Sequence, residues 1–229
     1  MRRTDGLRSH GVYSVDEKVV GHRDTSRFAF GFAGPRNSFG KPRVMRKLIV
    51  GVTGASGSAY AMAALRALRN HTDCEIHLVM SGQARLTVEI ETDYTAAELE
   101  ALAHVVHKDG DLAASISSGS FITSGMLVIP CSIKSASAIA HSLNGNLLTR
   151  AADVCLKEKR PVVLVVRETP LHLGHLRTLT QLAEIGATIL PPIPAMYAKP
   201  QSVDDIINHT VGKALDQFKI ENDLFNRWK

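Results

Sequence analysis

The sequence predicts a doubly wound α/β fold, a Rossmann-like or flavodoxin-like arrangement of three layers (α/β/α) in which helices cover both faces of one parallel sheet. Two observations support this prediction. Short, continuous runs of apolar residues alternate with longer helical segments from Met45 onward, which is the pattern of strands buried on both faces. The first run leads into a turn of small residues and then into an Ala-rich helix, as βα units do.

In the first half of the folded part, strands are predicted where apolar residues run unbroken between turn residues. Leu48, Ile49 and Val50 form the centre of the first of them. Helices are predicted over Ala-rich or amphipathic segments, and Thr95 and Glu98 have the spacing of a capping box at the start of one. The predicted elements are strands over 46–52 and 74–80, helices over 58–70, 82–91 and 95–105, and a polar Gly/Ser-rich link over 108–124.

The second half repeats this alternation. Residues 162–166 are an unbroken, mostly β-branched run, which predicts a strand. Asn144 and Gly145 predict a turn between two helices, and the last helix carries an apolar stripe opposite its polar side. The predicted elements are strands over 126–130, 161–166 and 187–190, and helices over 134–143, 146–158, 171–185 and 202–218.

The first 44 residues differ from the rest in charge. They contain nine Lys/Arg and four Asp/Glu residues, whereas residues 45–229 contain 18 of each, so the formal net charge of +5 lies in the leader. The folded part therefore lacks the clustered basic charge of a nucleic-acid-binding surface. The leader also lacks an apolar run long enough for a secretory signal or a membrane span. We expect residues 1–44 to form an unstructured basic tail before a single domain over 45–229.

The turn after the first strand, from Thr53 to Gly57, predicts a nucleotide phosphate site. Its glycines let backbone N–H groups approach an anion, and the following helix presents its positive end. The turn lacks the third glycine of a dinucleotide fingerprint, and the second strand ends in Ser81 and Gly82 rather than in an acidic residue that would hold a ribose. NAD is therefore not expected. For this loop alone, a tight turn without a ligand remains the alternative.

Hydroxyl-bearing or charged residues follow the predicted strands. Because parallel strands end at one edge of a sheet, these residues should converge on one rim. Each residue considered alone has a simpler explanation that needs no ligand. Ser132 could be a helix N-cap, and Arg167 and Glu168 could form a surface ion pair. The strand-end residues are Thr53, Ser56, Ser81, residues 131–135, Arg167, Glu168 and Tyr197.

Two helices carry cations that could face the same rim. Arg150 and Lys157 lie seven residues apart and so share a helix face, with Asp153 between them. Lys213 lies on the polar side of the last helix. For each of these cations a solvated, salt-bridged surface is the alternative.

The cysteines and histidines argue against a disulfide framework and against a metal site. The three cysteines lie in or beside apolar segments, which indicates a reducing compartment, and we expect a cytoplasmic protein without a membrane partner. His172 and His175 have helical metal-ligand spacing but no companion Cys or carboxylate. No metal is therefore expected.

From Met45 to Trp228 the sequence resembles the flavin prenyltransferases of the UbiX/Pad family. The resemblance rests on eight segments that occur in one order along the chain. They are GVTGASG (51–57), EIETD (89–93), ISSGSF (116–121), PCSIK (130–134), LTRAADVCLKE (148–158), VRETPL (166–171), PPIPAMY (191–197) and PQSVDD (200–205).

The resemblance implies metal-independent transfer of a dimethylallyl group from dimethylallyl monophosphate to reduced FMN. The product, prenylated FMN, would be the cofactor of a partner decarboxylase of the UbiD type, in ubiquinone synthesis or aromatic-acid decarboxylation. Relatives of this type form homo-oligomers, commonly dodecamers, with flavin at subunit contacts. A flavin-binding accessory subunit of a decarboxylase and a phosphopantothenoylcysteine-type flavoprotein decarboxylase are the alternatives, although the latter typically has a different motif after the third predicted strand.

The resemblance also implies roles for individual residues. The residues that would hold FMN are Gly54, Ala55, Ser56, Ser81, Ser132, Ile133, Lys134, Ser135 and Arg167. Those that would form the allylic phosphate pocket are Tyr197, Lys213, Arg150, Lys157 and Glu168. Ser56 and Glu91 would handle protons near the flavin, and Trp228 would close over the substrate. Many relatives carry Arg where this chain has Lys213, so the charge is kept but the bidentate fork is lost.

Overall fold

The computed structural model describes residues 45–71 and 73–228, and the expected tail over 1–44 lies outside them. The strands are β1 (Arg46–Val52), β2 (Cys74–Met80), β3 (Val105–Lys108), β4 (Gly125–Cys131), β5 (Val162–Val166) and β6 (Thr188–Ile189). The helices are α1 (Ser58–Arg69), α2 (Gly82–Glu91), α3 (Ala96–Ala101), α4 (Ile133–Ala140), α5 (Leu147–Lys157), α6 (Leu173–Glu184) and α7 (Val203–Asp216).

The six strands form one sheet in the order β3-β2-β1-β4-β5-β6, and every pairing is parallel. This is an order typical of doubly wound folds, and it confirms the predicted fold class. The order reverses between β1 and β4, where the chain leaves the sheet in opposite directions. A crevice is expected at that point, outside the carboxyl ends of the two strands.

One prediction about the strands was wrong. The structure adds β3 at the sheet edge, where the sequence predicted the end of a helix and an irregular link. This four-residue strand alternates between partly buried and exposed positions, so it lacks the unbroken apolar run that marks the central strands. The capping box of α3 is present as predicted, but the helix ends at Ala101 rather than at residue 105.

Alternate residues of the strands supply two cores on opposite faces of the sheet. On one face, Leu48 and Val50 of β1 pack with α1, α2, α3 and α7. On the other face, Ile49 packs with α4, α5 and α6. This alternation follows from the two-residue period of a strand, and it means that α5 and α7 lie on opposite faces of the sheet.

Candidate flavin site at the strand ends

Thr53 joins β1 to β4 at the point where the strand order reverses. Its backbone N–H and its hydroxyl both donate to the carbonyl oxygen of Pro130, at 3.2 and 2.8 Å. The same hydroxyl oxygen accepts the backbone N–H of Ser132 at 2.8 Å. The Thr53 side chain is only 2% exposed, so these bonds lie away from solvent. They hold the start of α4 beside the glycine-rich turn.

The N-terminus of α1 is already occupied by a carboxylate of the same chain. Glu91, the last residue of α2, accepts the backbone N–H groups of Gly57 and Ser58 at 2.8 and 3.0 Å through Oε2. Burial raises the pKa of Glu91, but the Ser56 and Ser58 hydroxyls and the two backbone N–H groups outweigh it, so the pKa falls below its usual value. The carboxylate is therefore ionised at neutral pH. The first turn of α1 does not offer these two donors to a phosphate.

The glycines of the turn have packing roles as well. Gly57 has a φ of 118°, in the left-handed region that favours glycine. A Cβ on Gly54 would lie 2.5 Å from Cβ of Gln83, closer than side-chain carbons approach. Gly54 therefore allows the first turn of α2 to pack directly against the loop, which brings two helix N-termini to the same rim.

Two other helices present unpaired backbone donors at this rim. The Ser81 hydroxyl caps α2 by accepting the backbone N–H of Ala84 at 3.2 Å, and the Ser132 hydroxyl caps α4 by accepting that of Ser135 at 3.2 Å. Within the described residues, no acceptor is found for the preceding N–H groups, which are those of Gly82, Gln83, Ile133 and Lys134. Free N–H groups at a helix start attract anions. Serine hydroxyls and these donors are suited to a phosphate monoester.

Arg167 and Glu168 follow β5 at the same rim. The Arg167 backbone N–H donates to the Cys131 carbonyl at 3.0 Å, which fixes the start of this segment beside β4. Its guanidinium lies near the Tyr60 phenol: burial raises the pKa of Tyr60, and the Arg167 charge partly offsets that rise. Glu168 accepts the backbone N–H of Thr169 at 3.0 Å. The ion pair between the two side chains, considered as the simpler explanation, does not form.

Tyr197, Trp228 and Lys213 belong to a separate group of side chains around α7. The Tyr197 hydroxyl lies 3.0 Å from Nε2 of His209, and the Tyr197 ring meets the Trp228 ring edge-on, with centroids 5.3 Å apart. Lys213 lies one helical turn after His209 and is exposed. Throughout the described ranges, no hydrogen bond, ion pair or ring contact connects this α7 cluster to the strand-end rim.

Arg150 and Lys157 share a helix face, as predicted, but within the described residues no hydrogen bond or ion pair joins either of them to the rim residues. Arg150 pairs with Asp153 at 3.3 Å and donates to the Ser117 carbonyl at 3.2 Å. Lys157 pairs with Glu158 at the end of α5, where a Cβ on Gly119 would lie 2.7 Å from its Nζ. This end of α5 precedes β5 and so lies toward the amino ends of the strands.

The structure therefore divides the expected site residues into three groups. The residues expected to hold FMN, together with Glu91 and Glu168, gather at the carboxyl ends of the strands. Tyr197, Trp228 and Lys213 lie around α7, and Arg150 and Lys157 lie on α5. The α5 and α7 groups cover opposite faces of the sheet, and within the described residues no hydrogen bond, ion pair or ring contact joins one group to the other. Sequence reasoning missed His209, although its position four residues before Lys213 puts it on the same side of the helix.

Comparison with known proteins identifies the family. The Flavoprotein family matches residues 38–215. The flavin prenyltransferase UbiX of Escherichia coli K12 is 61% identical over 187 residues, which cover 81% of this chain and 99% of the relative. The chain belongs to the UbiX family of flavin prenyltransferases. The residues that carried the resemblance in the sequence thus led to the correct family.

Two solved structures of UbiX-type proteins superpose on the chain with a TM-score of 0.79. One is a dodecameric FMN-dependent UbiX-like decarboxylase from Escherichia coli O157:H7, at 49% identity over 80% of this chain and 99% of that one. The other is AnUbiX (PadA1) in complex with FMN and dimethylallyl pyrophosphate, at 46% identity over 80% and 97%. A cysteine decarboxylase, TvaF, matches at 16% identity with a TM-score of 0.55, which supports the common fold alone.

The rim of this UbiX-family chain fits FMN by its own chemistry. It combines two helix starts with free N–H groups, two capping hydroxyls, and the exposed Arg167 beside the carboxyl ends of β4 and β5. Among the described residues, no group of three or more His, Cys, Asp or Glu side chains could hold a metal. His172, whose Nδ1 accepts the backbone N–H of Gly174 at 3.0 Å, acts as the N-cap of α6.

Two further observations concern membrane-spanning helices and the cysteines. Across 45–71 and 73–228, no helix is long and apolar enough to cross a membrane. Cys74, Cys131 and Cys155 are buried free thiols. Burial raises the pKa of Cys131 to about 12, so this thiol stays protonated and unreactive.

Proposed function

We propose that this chain transfers a dimethylallyl group from dimethylallyl monophosphate to reduced FMN without a metal ion, and that its product serves a UbiD-type decarboxylase. Reduced FMN supplies the nucleophilic ring nitrogen and the adjacent ring carbon to which the allyl group becomes bonded. The observation that carries the proposal is the pair of helix starts with free N–H groups beside Arg167, at the strand ends of a UbiX-family fold. A cytoplasmic location remains an expectation from the three buried thiols.

The FMN phosphate would bind at the starts of α2 and α4. Ser81 accepts the third backbone N–H of α2, and Ser132 accepts the third backbone N–H of α4, so the first two N–H groups of each helix stay free. Both helices would therefore direct donors and partial positive charge at one anion. Arg167 adds a full charge beside them. The start of α1 is excluded from this role because Glu91 occupies its donors.

Ser56 and Glu91 would hold a proton at the flavin. The lowered pKa of Glu91 keeps its carboxylate ionised, and the Ser56 hydroxyl contributes to that lowering as a hydrogen-bond donor. A serine whose proton points at a carboxylate presents its oxygen lone pairs outward. Such an oxygen accepts a proton from a ring N–H and can pass its own to Glu91. Glu91 therefore both fixes the turn and provides the proton acceptor.

Glu168 would protonate the departing phosphate. A phosphate monoester is a poor leaving group without a divalent cation, so cationic side chains and a proton donor must stabilise the dianion as the carbon–oxygen bond breaks. Glu168 adjoins Arg167 at the rim, and its only hydrogen bond in the described structure is with its own neighbour Thr169. Its carboxyl group can therefore turn toward a substrate.

The allylic phosphate pocket would be completed between copies of the chain. Lys213 belongs to α7 on one face of the sheet, and Tyr197 contacts that helix through His209. Arg150 and Lys157 belong to α5 on the other face. Since the two groups share no contact within the described chain, different copies would contribute them to one phosphate. A homo-oligomer, such as the dodecamer formed by the UbiX-like relative, provides that arrangement.

Two experiments test the proposed function. The purified protein should be yellow with FMN and, once the flavin is reduced under anaerobic conditions, should convert dimethylallyl monophosphate and FMN to a flavin heavier by one prenyl unit by mass spectrometry. Prenylation by the chain alone would exclude an accessory-subunit role. Absence of any prenylated flavin, with FMN bound and reduced, would refute the enzyme activity.

The second experiment tests the pocket between copies. Lys157→Ala and Lys213→Ala should each abolish most prenyl transfer. Mixed oligomers reassembled from both variants should recover part of it, because some pockets then receive both wild-type lysines from different chains. Recovery would be absent if the two lysines served the same pocket from one chain. Reassembled oligomers of each single variant are the matched control.

A further inference from the structure

The side chain that holds Tyr197 in place is His209, which the family resemblance did not single out. Its Nε2 lies 3.0 Å from the Tyr197 hydroxyl, and the two rings meet edge-on with centroids 5.8 Å apart. The imidazole ring also packs edge-on against the Phe225 ring, with the two ring centroids 4.7 Å apart. His209 is partly buried, whereas Tyr197 is 48% exposed. The histidine is thus the fixed partner and the phenol the one that faces outward.

The surroundings of His209 keep the imidazole neutral. Burial lowers its pKa first, and the positive charge of Lys213, one turn along α7, lowers it further. A neutral imidazole has one N–H donor and one acceptor nitrogen. It can therefore donate to the phenol oxygen through Nε2–H, or accept the phenol proton at the same atom.

We propose that His209 is a positioning residue that orients the Tyr197 hydroxyl toward the phosphate of the allylic substrate. This inference rests on the proposed function, because it takes the ligand of Tyr197 to be that phosphate. A phenol has one proton, which goes to the stronger acceptor, and a phosphate dianion is a stronger acceptor than a neutral imidazole. With substrate bound, Nε2–H of His209 donates to the phenol oxygen and the phenol donates to the phosphate. The imidazole then holds the phenol oxygen in place without competing for its proton.

The chemistry selects which replacement should preserve the function. Glutamine carries an N–H₂ group that can donate to the phenol oxygen, so His209→Gln should keep Tyr197 oriented. Leucine keeps packing against Phe225 but has no donor, so His209→Leu should release the phenol. His141→Leu, at the exposed end of α4, is the matched control for loss of a histidine away from the cluster.

The first measurement is steady-state prenyl transfer with reduced FMN. Loss of one oriented hydrogen bond should raise KM for dimethylallyl monophosphate about three- to tenfold in His209→Leu, with FMN affinity and melting temperature near wild type. The Gln variant and the His141→Leu control should stay within about twofold. In a Tyr197→Phe background, His209→Leu should have no further effect, because the hydroxyl that it orients is gone. Additive effects in that background would overturn the inference.

The second measurement does not depend on turnover. Trp228 is the single tryptophan of the chain and contacts the Tyr197 ring, so its fluorescence reports on this cluster. Dimethylallyl monophosphate titrated into the full-length protein under oxidising conditions should change that emission. The Kd should be about three- to tenfold weaker in His209→Leu and near wild type in His209→Gln. Equal binding by all three proteins, or no response of the wild type, would overturn the inference.

The two measurements separate the inference from the function on which it rests. If the wild type makes no prenylated flavin but His209→Leu still weakens binding in the fluorescence titration, the proposed function fails and the positioning role stands. If the wild type prenylates FMN and all His209 variants share its KM and Kd, the function stands and the positioning role fails.

Discussion

Removal of the Glu91 carboxylate should loosen the start of α1. In Glu91→Ala the backbone N–H groups of Gly57 and Ser58 lose their acceptor, at 2.8 and 3.0 Å in the wild type. Loss of a helix N-cap acceptor costs about 1 kcal/mol, and loss of a negative charge at a helix N-terminus costs about 0.3–1 kcal/mol more. We therefore expect a loss of about 1.5–2 kcal/mol in the free energy of unfolding. Glu91→Gln, which keeps an acceptor oxygen, should lose about half of that.

The assay is thermal unfolding at one fixed protein concentration, because assembly would otherwise shift the midpoint. For a domain of this size, 1 kcal/mol changes Tm by about 2–4 °C, so Glu91→Ala should melt about 3–8 °C below wild type. Glu89→Gln, an exposed carboxylate on the same helix, is the matched control and should melt within about 1 °C of wild type. A Glu91→Ala protein as stable as the control would refute the argument.

The same carboxylate should leave a signature in the pH dependence. The folded-state pKa of Glu91 lies below its usual value of 4.5, so its stabilising effect is complete above that value and is lost as pH falls through the folded pKa. The difference in Tm between wild type and Glu91→Gln should therefore be constant from about pH 6 to 8 and shrink in acid. A difference that grows as the pH falls would mean that another group is responsible.

Three further predictions concern the rim and the leader. Glu168→Gln should bind FMN normally but slow single-turnover prenylation about 10²- to 10⁴-fold, as loss of a general acid does; a variant at the wild-type rate would remove Glu168 from the mechanism. Thr53→Val, which keeps the shape but loses the bonds to Pro130 and Ser132, should reduce the unfolding free energy by about 1–3 kcal/mol by chemical denaturation; a loss below about 0.5 kcal/mol would contradict this. A chain that begins at Met45 should bind FMN as tightly as the full chain by fluorescence titration; weaker binding would show that the leader contributes.

The sequence allowed the central part of the fold to be predicted because buried strands leave an unmistakable pattern. The first two strands were predicted with the bounds that the structure shows, and α2 likewise. The edge strand β3 was missed because it lacks this pattern. Alternate residues of β3 are exposed, and polar residues, His107 and Lys108, occupy half of the strand. Sequence patterns report burial, and an edge strand has little of it.

The candidate site could be predicted as a set of residues but not as an arrangement. The hydroxyl-bearing residues at the strand ends could be found from the sequence, because they follow the apolar runs that form the strands. Whether a helix start is free to bind a phosphate depends on residues distant in sequence: Glu91 reaches across 34 positions to occupy the donors of Gly57. Only the tertiary structure shows that α2 and α4, rather than α1, offer free donors.

The seven-residue spacing of Arg150 and Lys157 predicted that the two side chains share a face of α5. Spacing along one helix carries no information about which side of the sheet that helix covers. The path of the chain through the strand order determines that side, and it puts α5 and α7 on opposite faces. The sequence by itself determined the central strands, the family and the residue types of the expected site. The tertiary structure decided which of those residues one chain can bring together, because distance in a folded protein depends on packing between elements rather than on periodicity within them.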